Sequence, residues 1–169
     1  MIVPTVNNIK IHFRINSTYI NNLLHKSTKL KLYSNYFVYR NKFTFIVFYS
    51  GFVNVTGVKR CVDIIKARNL FLFEVRYKNN FDDIGVVVDN ITASGNLHNF
   101  IDLRKIRTKL ESKLFRCRYR PEFFAGLFIT SRNCRGTVIL FHSGKYSIVG
   151  CRTKEEINLL CETILSAVI

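Results

Sequence analysis

The chain has 169 residues, of which 48% are hydrophobic and 14% aromatic, so it is long enough to bury a real core and too apolar for a disordered tail. Lys and Arg number 26 against 11 acidic residues, a formal net charge of +15. Such an excess repels itself, and its usual reason is a polyanionic partner, most often nucleic acid.

Residues 1–84 hold 13 basic and 4 acidic residues, and residues 85–169 hold 13 and 7, so the halves carry +9 and +6 and no single tail carries the excess. No run reaches the ~18 apolar residues of a membrane helix, and the first residues lack the layout of a signal peptide. A soluble, intracellular protein is expected. Cys61, Cys117, Cys134, Cys151 and Cys161 form no C-x-x-C pair, and with four scattered His they give no zinc spacing. They read as five reduced thiols, mostly packed as small apolar residues.

The elements come in two similar rounds. Residues 6–11, VNNIKI, read as a strand holding Asn8 and Ile9. A helix is expected next, capped by Ser17, with Tyr19, Ile20, Leu23 and Leu24 at helical spacing through Lys26. Residues 45–57, FIVFYSGFVNVTG, read as two strands around a Ser-Gly turn. A short helix follows from about Arg60 to Asn69, with Val62, Ile64 and Ile65 as its apolar side. A linker is expected over residues 70–85, with a loop at 79–83.

The second round opens on residues 87–93, VVDNITA, another strand with Asn90 and Ile91. Ile101 or Leu103, with Ile106 and Leu110, traces one face of a helix. Residues 138–150, VILFHSGKYSIVG, repeat the phrase of the first half. Thr153, Glu155 and Glu156 then open a helix whose apolar face is Ile157, Leu160, Cys161, Ile164, Leu165 and Val168.

Strand alternation sorts the hairpin residues into two faces. Val138, Leu140, Tyr146 and Ile148 share one, and Ile139, Phe141, Ser147 and Val149 the other. In the first half Phe45, Val47, Val53 and Val55 oppose Ile46, Phe48, Asn54 and Thr56. A sheet covered by helices on one face normally has a polar outer face. Phe48 and Phe141 break that rule, which suggests a binding surface.

The motifs and their order resemble the TATA-box-binding protein family over nearly the whole chain. The second half carries most of it: Asn90-Ile91, residues 119–127 (YRPEFFAGL), residues 138–145 (VILFHSGK), Gly150-Cys151-Arg152 and the helix start at Thr153. The first half adds Asn8-Ile9, residues 48–51 (FYSG) and residues 56–59 (TGVK). The resemblance implies an α+β fold: a pseudo-twofold saddle of two strand–helix–strands–helix repeats, 1–80 and 81–169, in one curved antiparallel sheet with helices on the convex face.

The resemblance also implies a function. Family members are type examples of proteins that enter the minor groove, wedge Phe side chains between base steps and bend the duplex. Residue by residue, Phe124 and Phe141 match the wedge pair of the second half and Phe48 one wedge of the first. Asn8 and Asn90 match paired groove-contacting amides, Thr56 a groove-floor Thr, and Lys59, Lys145 and Arg152 basic positions near phosphates. An amide donor suits a groove where A·T pairs present only acceptors. Glu122 and Phe123 lie where the family docks a B-type general initiation factor; RNA polymerase subunits are the other partners implied.

Departures accompany the match. The first half aligns no first wedge, and residues 30–33 hold no Phe. Thr92 and Lys10 stand at groove-facing Val positions, Ser147 and Val149 at a Val and a Thr, Phe52 at the Lys after Ser-Gly, and Thr130 at a phosphate-contacting Arg. Arg120 replaces one acid of the partner site.

On the residues alone, Phe124 and Phe141 read either as wedges or as core, with Phe123 competing with Phe124. Asn8 and Asn90 read as groove donors or turn residues, and residues 104–109 as a solvated helix face or a surface for a partner or upstream DNA. Two functions follow: an initiation factor that binds and bends AT-rich promoter DNA, in the nucleus or another transcription compartment, or a scaffold of the same fold that has lost specific TATA binding. An enzyme is not expected, because no phosphate-binding glycine loop, metal cluster or G-x-S-x-G is present; no cofactor is expected either. The abundance of Asn, Ile, Lys, Phe and Tyr fits an AT-rich genome such as that of a large DNA virus.

Overall fold

The computed structural model of the chain describes residues 3–25, 30–111 and 115–168. Two compact units emerge: Asn8–Asp89, and Asn90 onward together with the residues up to Asn7. Among the described residues there are ten strands and four α-helices.

The first round runs β1 (Thr5–Arg14), a 3-10 turn (Ser17–Ile20), α1 (Asn21–Leu24), β2 (Leu30–Leu32), β3 (Tyr36–Arg40), β4 (Thr44–Phe48), β5 (Phe52–Val58) and α2 (Asp63–Glu74). The second runs β6 (Val87–Asn96), α3 (Leu103–Glu111), β7 (Phe115–Arg120), β8 (Phe124–Ser131), β9 (Thr137–Leu140), β10 (Lys145–Cys151) and α4 (Lys154–Val168). Neighbours follow the order β1-β5-β4-β3-β2 in one round and β6-β10-β9-β8-β7 in the other, with antiparallel pairing within each. The fold is α+β, written twice.

Period-two alternation decides which side chains are buried. Phe45, Val47, Val53 and Val55 are fully buried while Ile46, Phe48, Asn54 and Thr56 are half-buried. In the second round Val138, Leu140, Tyr146 and Ile148 are buried and Ile139, Phe141, Ser147 and Val149 half-buried. The helices cover the first set. Phe71 of α2 packs its ring 5.6 Å from Phe13 and 5.2 Å from Phe45. Leu103, Ile106 and Leu110 of α3 and Ile157, Leu160, Cys161 and Ile164 of α4 are buried in the other unit. There the buried Tyr146 hydroxyl lies 3.3 Å from Cys161 Sγ, so its polar atom has a partner.

The helix starts follow capping chemistry. Thr153 Oγ1 accepts from Glu156 N at 3.2 Å while Glu156 Oε2 accepts from Thr153 N at 3.2 Å, the reciprocal box expected. Asp102 Oδ1 accepts from the N–H groups of Arg104 and Lys105 at the start of α3, so Ile101 is buried just outside the helix and Leu103 within it.

Three expectations for the first round need correction. The cap of its first turn is Asn16, whose Oδ1 accepts from Thr18 N at 3.0 Å, and not Ser17; an Asn oxygen reaches the second N–H ahead more readily than a hydroxyl. Lys26, the end of that expected helix, lies outside the described residues. The helix α2 runs to Glu74, five residues past Asn69, and takes up the start of the expected linker. Its buried side is Ala67, Phe71 and Leu72, whereas Val62 and Ile65 are 67% and 48% exposed. Phe71 wins the core because it alone reaches both Phe13 and Phe45. The charged Arg68 is also buried; its guanidinium donates to Ile84 O and Asp82 Oδ1, each at 2.8 Å, and so ties the Phe81–Asp83 turn to the helix.

Both Ser-Gly turns need glycine. Gly51 and Gly144 have φ of +90° and +79°, and a Cβ there would collide with the carbonyls of Ile15 and Asn99. Cys151 and Cys161 are buried, Cys117 and Cys134 half-buried and Cys61 exposed. Among the described residues no helix is long and apolar enough to cross a membrane.

Candidate nucleic-acid interface

Each unit leaves one sheet face uncovered by helices. In the second round that face carries Phe124 and Phe128 of β8, Ile139 of β9, Phe141 just past it, and Ser147 and Val149 of β10. Cross-strand partners share a face, and the pairs Phe128–Ile139 and Ser147–Ile139 fix the set. Phe124 and Phe141 meet edge-on with centroids 5.8 Å apart, and Phe124 lies 5.2 Å from Phe128. Phe124 is 43% exposed, so it is not a core residue; Phe141 is half-buried. The rings close over Gly126, where a Cβ would come within 2.6 Å of Phe124, 2.9 Å of Ile139 and 3.2 Å of Phe141. Gly126 therefore sets the ring pair, a role that strand alternation does not show. Phe123 is 81% exposed beside it, in the turn closed by Phe123 N donating to Arg120 O. Glu122, next in that turn, is exposed.

Asn90 sits where β6 meets β10. Its Oδ1 accepts from Gly150 N at 2.8 Å. A main-chain N–H only donates, so the oxygen faces Gly150 and the NH2 group faces away. Gly150 has φ +86°, and the register slips between Ile148 and Cys151, a bulge of the kind that re-aims side chains. Asn8 does the same in the first round. Its Oδ1 accepts from Gly57 N at 2.7 Å and from Thr56 Oγ1 at 3.2 Å, Gly57 has φ +88°, and the register slips between Ile9 and Ile11. Thr56 is thus bound to Asn8, and each Asn is a bulge partner as well as a candidate donor.

The open face of the first round is built differently. Phe48 pairs across strands with Tyr36, ring centroids 5.6 Å apart, and Tyr36 stacks on Tyr33 at 4.6 Å. Phe52 lies 6.0 Å from Phe48 and 4.9 Å from His12, with the Arg14 guanidinium 5.9 Å over its ring. Tyr36, backed by Tyr33, therefore stands beside Phe48 where the second round has a phenylalanine. The alternation of residues 36–40 held this signal, but only the β3–β4 register brings Tyr36 to Phe48. His12 Nδ1 lies 2.8 Å from Asp89 Oδ1, and Lys10 Nζ 3.6 Å from its other oxygen, so an acid sits on this face with two basic partners.

The basic candidates are spread out. Lys59 and Arg152 each follow the last strand of a round and are exposed, and the Arg152 N–H donates to Glu156 Oε2 at 2.6 Å. Lys145, also exposed, opens β10 opposite Asn96 and lines a depression with Ser94, Phe141 and Ser143. Among the described residues no group of three His, Cys, Asp or Glu is placed to hold a metal ion.

Two repeats with this strand order, each with an aromatic cluster on its open face and an Asn-held bulge, define a class: the fold of the TATA-box-binding proteins. The family model for "Transcription factor TFIID (or TATA-binding protein, TBP)" matches residues 85–168. The TATA-box-binding protein of Sulfurisphaera tokodaii is 32% identical over 130 residues, covering 76% of this chain and 64% of that protein. That of Pyrodictium occultum is 34% identical over 119 residues, covering 69% and 57%. The solved Methanococcus jannaschii TBP superposes with a TM-score of 0.76 at 20% identity, covering 98% of this chain and 97% of that one. The chain is a divergent member of the TATA-box-binding protein family. It spans less than two thirds of the length of the curated relatives named here.

Proposed function

We propose that this chain binds duplex DNA through the open sheet faces of both repeats, as a transcription initiation factor that enters the minor groove of AT-rich promoter DNA and bends it. The observation that carries the reading is the Phe124–Phe141 pair on an uncovered sheet face, with Phe124 exposed, Phe141 half-buried and both rings held by Gly126. An apolar wedge already out of the core can insert without unpacking the protein, so only the unstacking of the base step, about a few kcal/mol, has to be offset, and least in sequences that kink easily. Phe48 with Tyr36 is the corresponding element of the first repeat. The Asn90 and Asn8 amides are donors to groove acceptors, Thr56 supports Asn8, and Lys59, Lys145 and Arg152 lie near phosphates. Glu122 and Phe123 form the surface for a B-type initiation factor or a polymerase subunit. The chain acts as a binding protein and not as an enzyme.

A second reading has one observation in its favour. Asp89 places a carboxylate on the first repeat's open face, where it opposes approach of phosphates. This favours a protein-interaction scaffold in a transcription assembly that has lost specific TATA binding. Binding to a TATA duplex and a GC duplex across a salt series separates the two. The DNA reading expects preference for the TATA duplex and, with about 4–6 phosphates neutralised, a slope of log K against log[salt] of roughly −4 to −5. No binding at low salt leaves the scaffold.

A further inference from the structure

The strand β7 carries Arg116, Arg118 and Arg120 at alternate positions, all exposed, while Phe115, Cys117 and Tyr119 between them are half-buried. The second set faces α3: burial, first, and the Glu111 carboxylate push the Cys117 thiol up to about 11. The arginines therefore face the other way, onto the open face. Register agrees, since Arg116 pairs with Thr130, Arg118 with Phe128 and Arg120 with Phe124. The Arg118 guanidinium lies 5.1 Å over the Phe128 ring, and Phe128 touches Phe124. This stacking holds the cation beside the Phe124–Phe141 pair while leaving its N–H edges open. Arg118, Arg120, Phe123, Phe124 and Phe128 line one depression. Among the described residues none of the three arginines forms an ion pair with an acid.

An edge strand with three uncompensated cations in a row is more than a device against strand addition, for which one charge suffices. Like charges two residues apart repel, and the arrangement is stable in company with an anion that spans them. Successive same-face residues of a regular strand advance about 6.6–6.8 Å, the step from Arg116 to Arg118; the register then slips before Arg120, which still pairs with Phe124 on the same face. A linear polyanion with repeated single charges fits that row; one carboxylate or one phosphate does not. Arginine is the side chain suited to phosphate, which it meets with two parallel N–H groups.

We propose that Arg116, Arg118 and Arg120 form a phosphate rail that grips one backbone strand of duplex DNA next to the Phe124–Phe141 pair. The proposal rests on the DNA reading above and adds residues that it does not contain. Thr130, opposite Arg116, offers only a hydroxyl, which donates to Arg116 O at 3.2 Å, so the strong anion contact at that sheet edge comes from β7. Backbone contacts carry no sequence information. The rail therefore sets affinity and salt dependence and leaves base preference unchanged.

The test compares the full chain with an Arg116→Gln, Arg118→Gln, Arg120→Gln triple variant and the corresponding Lys triple, on a TATA duplex and a GC duplex across a salt series. Thermal unfolding checks that each is folded. Three lost phosphates at about 0.9 each predict that the Gln triple flattens the slope of log K against log[salt] by at least about 2, with the ratio of TATA to GC affinity unchanged. The Lys triple keeps the slope within about 1 unit of the parent. If the parent binds duplex and the Gln triple flattens its slope by less than that, or the Lys triple behaves like the Gln triple, the rail is wrong and the DNA reading survives. If the parent binds no duplex, both fall.

Discussion

Asn90 holds the main-chain N–H of Gly150 at 2.8 Å, and this bond decides which end of the amide the open face receives. Replacing Asn90 by Asp keeps an acceptor for Gly150, and a charged one makes the stronger bond. It removes the NH2 donor and puts a negative charge where groove acceptors would lie. The expected outcome for Asn90→Asp is a melting temperature close to the parent's, with affinity for a TATA duplex lowered about 10–100-fold, the range of a lost base-edge contact of about 1–3 kcal/mol. Unchanged affinity would reduce Asn90 to a bulge partner.

The two rounds of the fold are legible in the sequence because period-two alternation is a local signal. Phe45 and Val47 against Ile46 and Phe48 needs no knowledge of partners. What depends on register was not legible. Tyr36 reaches Phe48 only through the β3–β4 pairing, and Arg116 reaches the open face only through β7–β8. The helix α2 misled for a related reason. Val62, Ile64 and Ile65 form an apolar run near its start, yet the core selects Phe71 and Leu72, which are distant in sequence from the strands they pack on. Gly126 looked like a motif letter, and its purpose is visible only with both rings above it.

Glycines separate into two kinds, and substitution should tell them apart. Gly57 has φ +88° but open space around a new Cβ, so Gly57→Ala is expected to cost about 1–3 kcal/mol, the backbone term alone. Gly51 and Gly144 have positive φ and a carbonyl in the way. Gly51→Ala and Gly144→Ala should each destabilise by more than Gly57→Ala, as read by denaturant midpoints at unchanged m-value. Equal costs would show that the turns yield without strain.

The thiols should label in a fixed order. Burial, with the Glu111 carboxylate next, raises Cys117 to about 11, and burial, with Glu156 next, raises Cys151 to about 11. Cys61 is exposed. At pH 8 a thiol at 11 is almost entirely neutral, and Cys61 is the exposed one, so iodoacetamide should modify Cys61 first and Cys117 and Cys151 last. Because the folded state favours the neutral thiols, their contribution to stability is full below pH 9 and is lost as pH rises through 11. Mass spectrometry of timed samples gives the order, and early labelling of Cys151 would contradict the burial of the β10–α4 packing.

The wedge residues allow the sharpest separation of binding from stability. Phe124 is 43% exposed, whereas Phe45 is fully buried between β3, β5 and α2. A buried Phe→Ala change costs about 3–5 kcal/mol, because the cavity it leaves adds to the lost transfer energy. Phe45→Ala should show that cost. The double variant Phe124→Ala, Phe141→Ala loses mainly the contact of two half-open rings with each other and with Phe128, and should cost clearly less than two buried phenylalanines. Its effect belongs to DNA. With the wedges gone, a labelled duplex should report a straighter complex by end-to-end energy transfer, with weaker binding. The residual binding should keep a salt dependence, since Lys59, Lys145 and Arg152 remain. A double variant that unfolds like Phe45→Ala would mean that the pair supports the core. One that is stable and bends DNA as well as the parent would remove Phe124 and Phe141 from the site and move the bend to Phe48 and Tyr36, where the same measurement on Phe48→Ala would then find it.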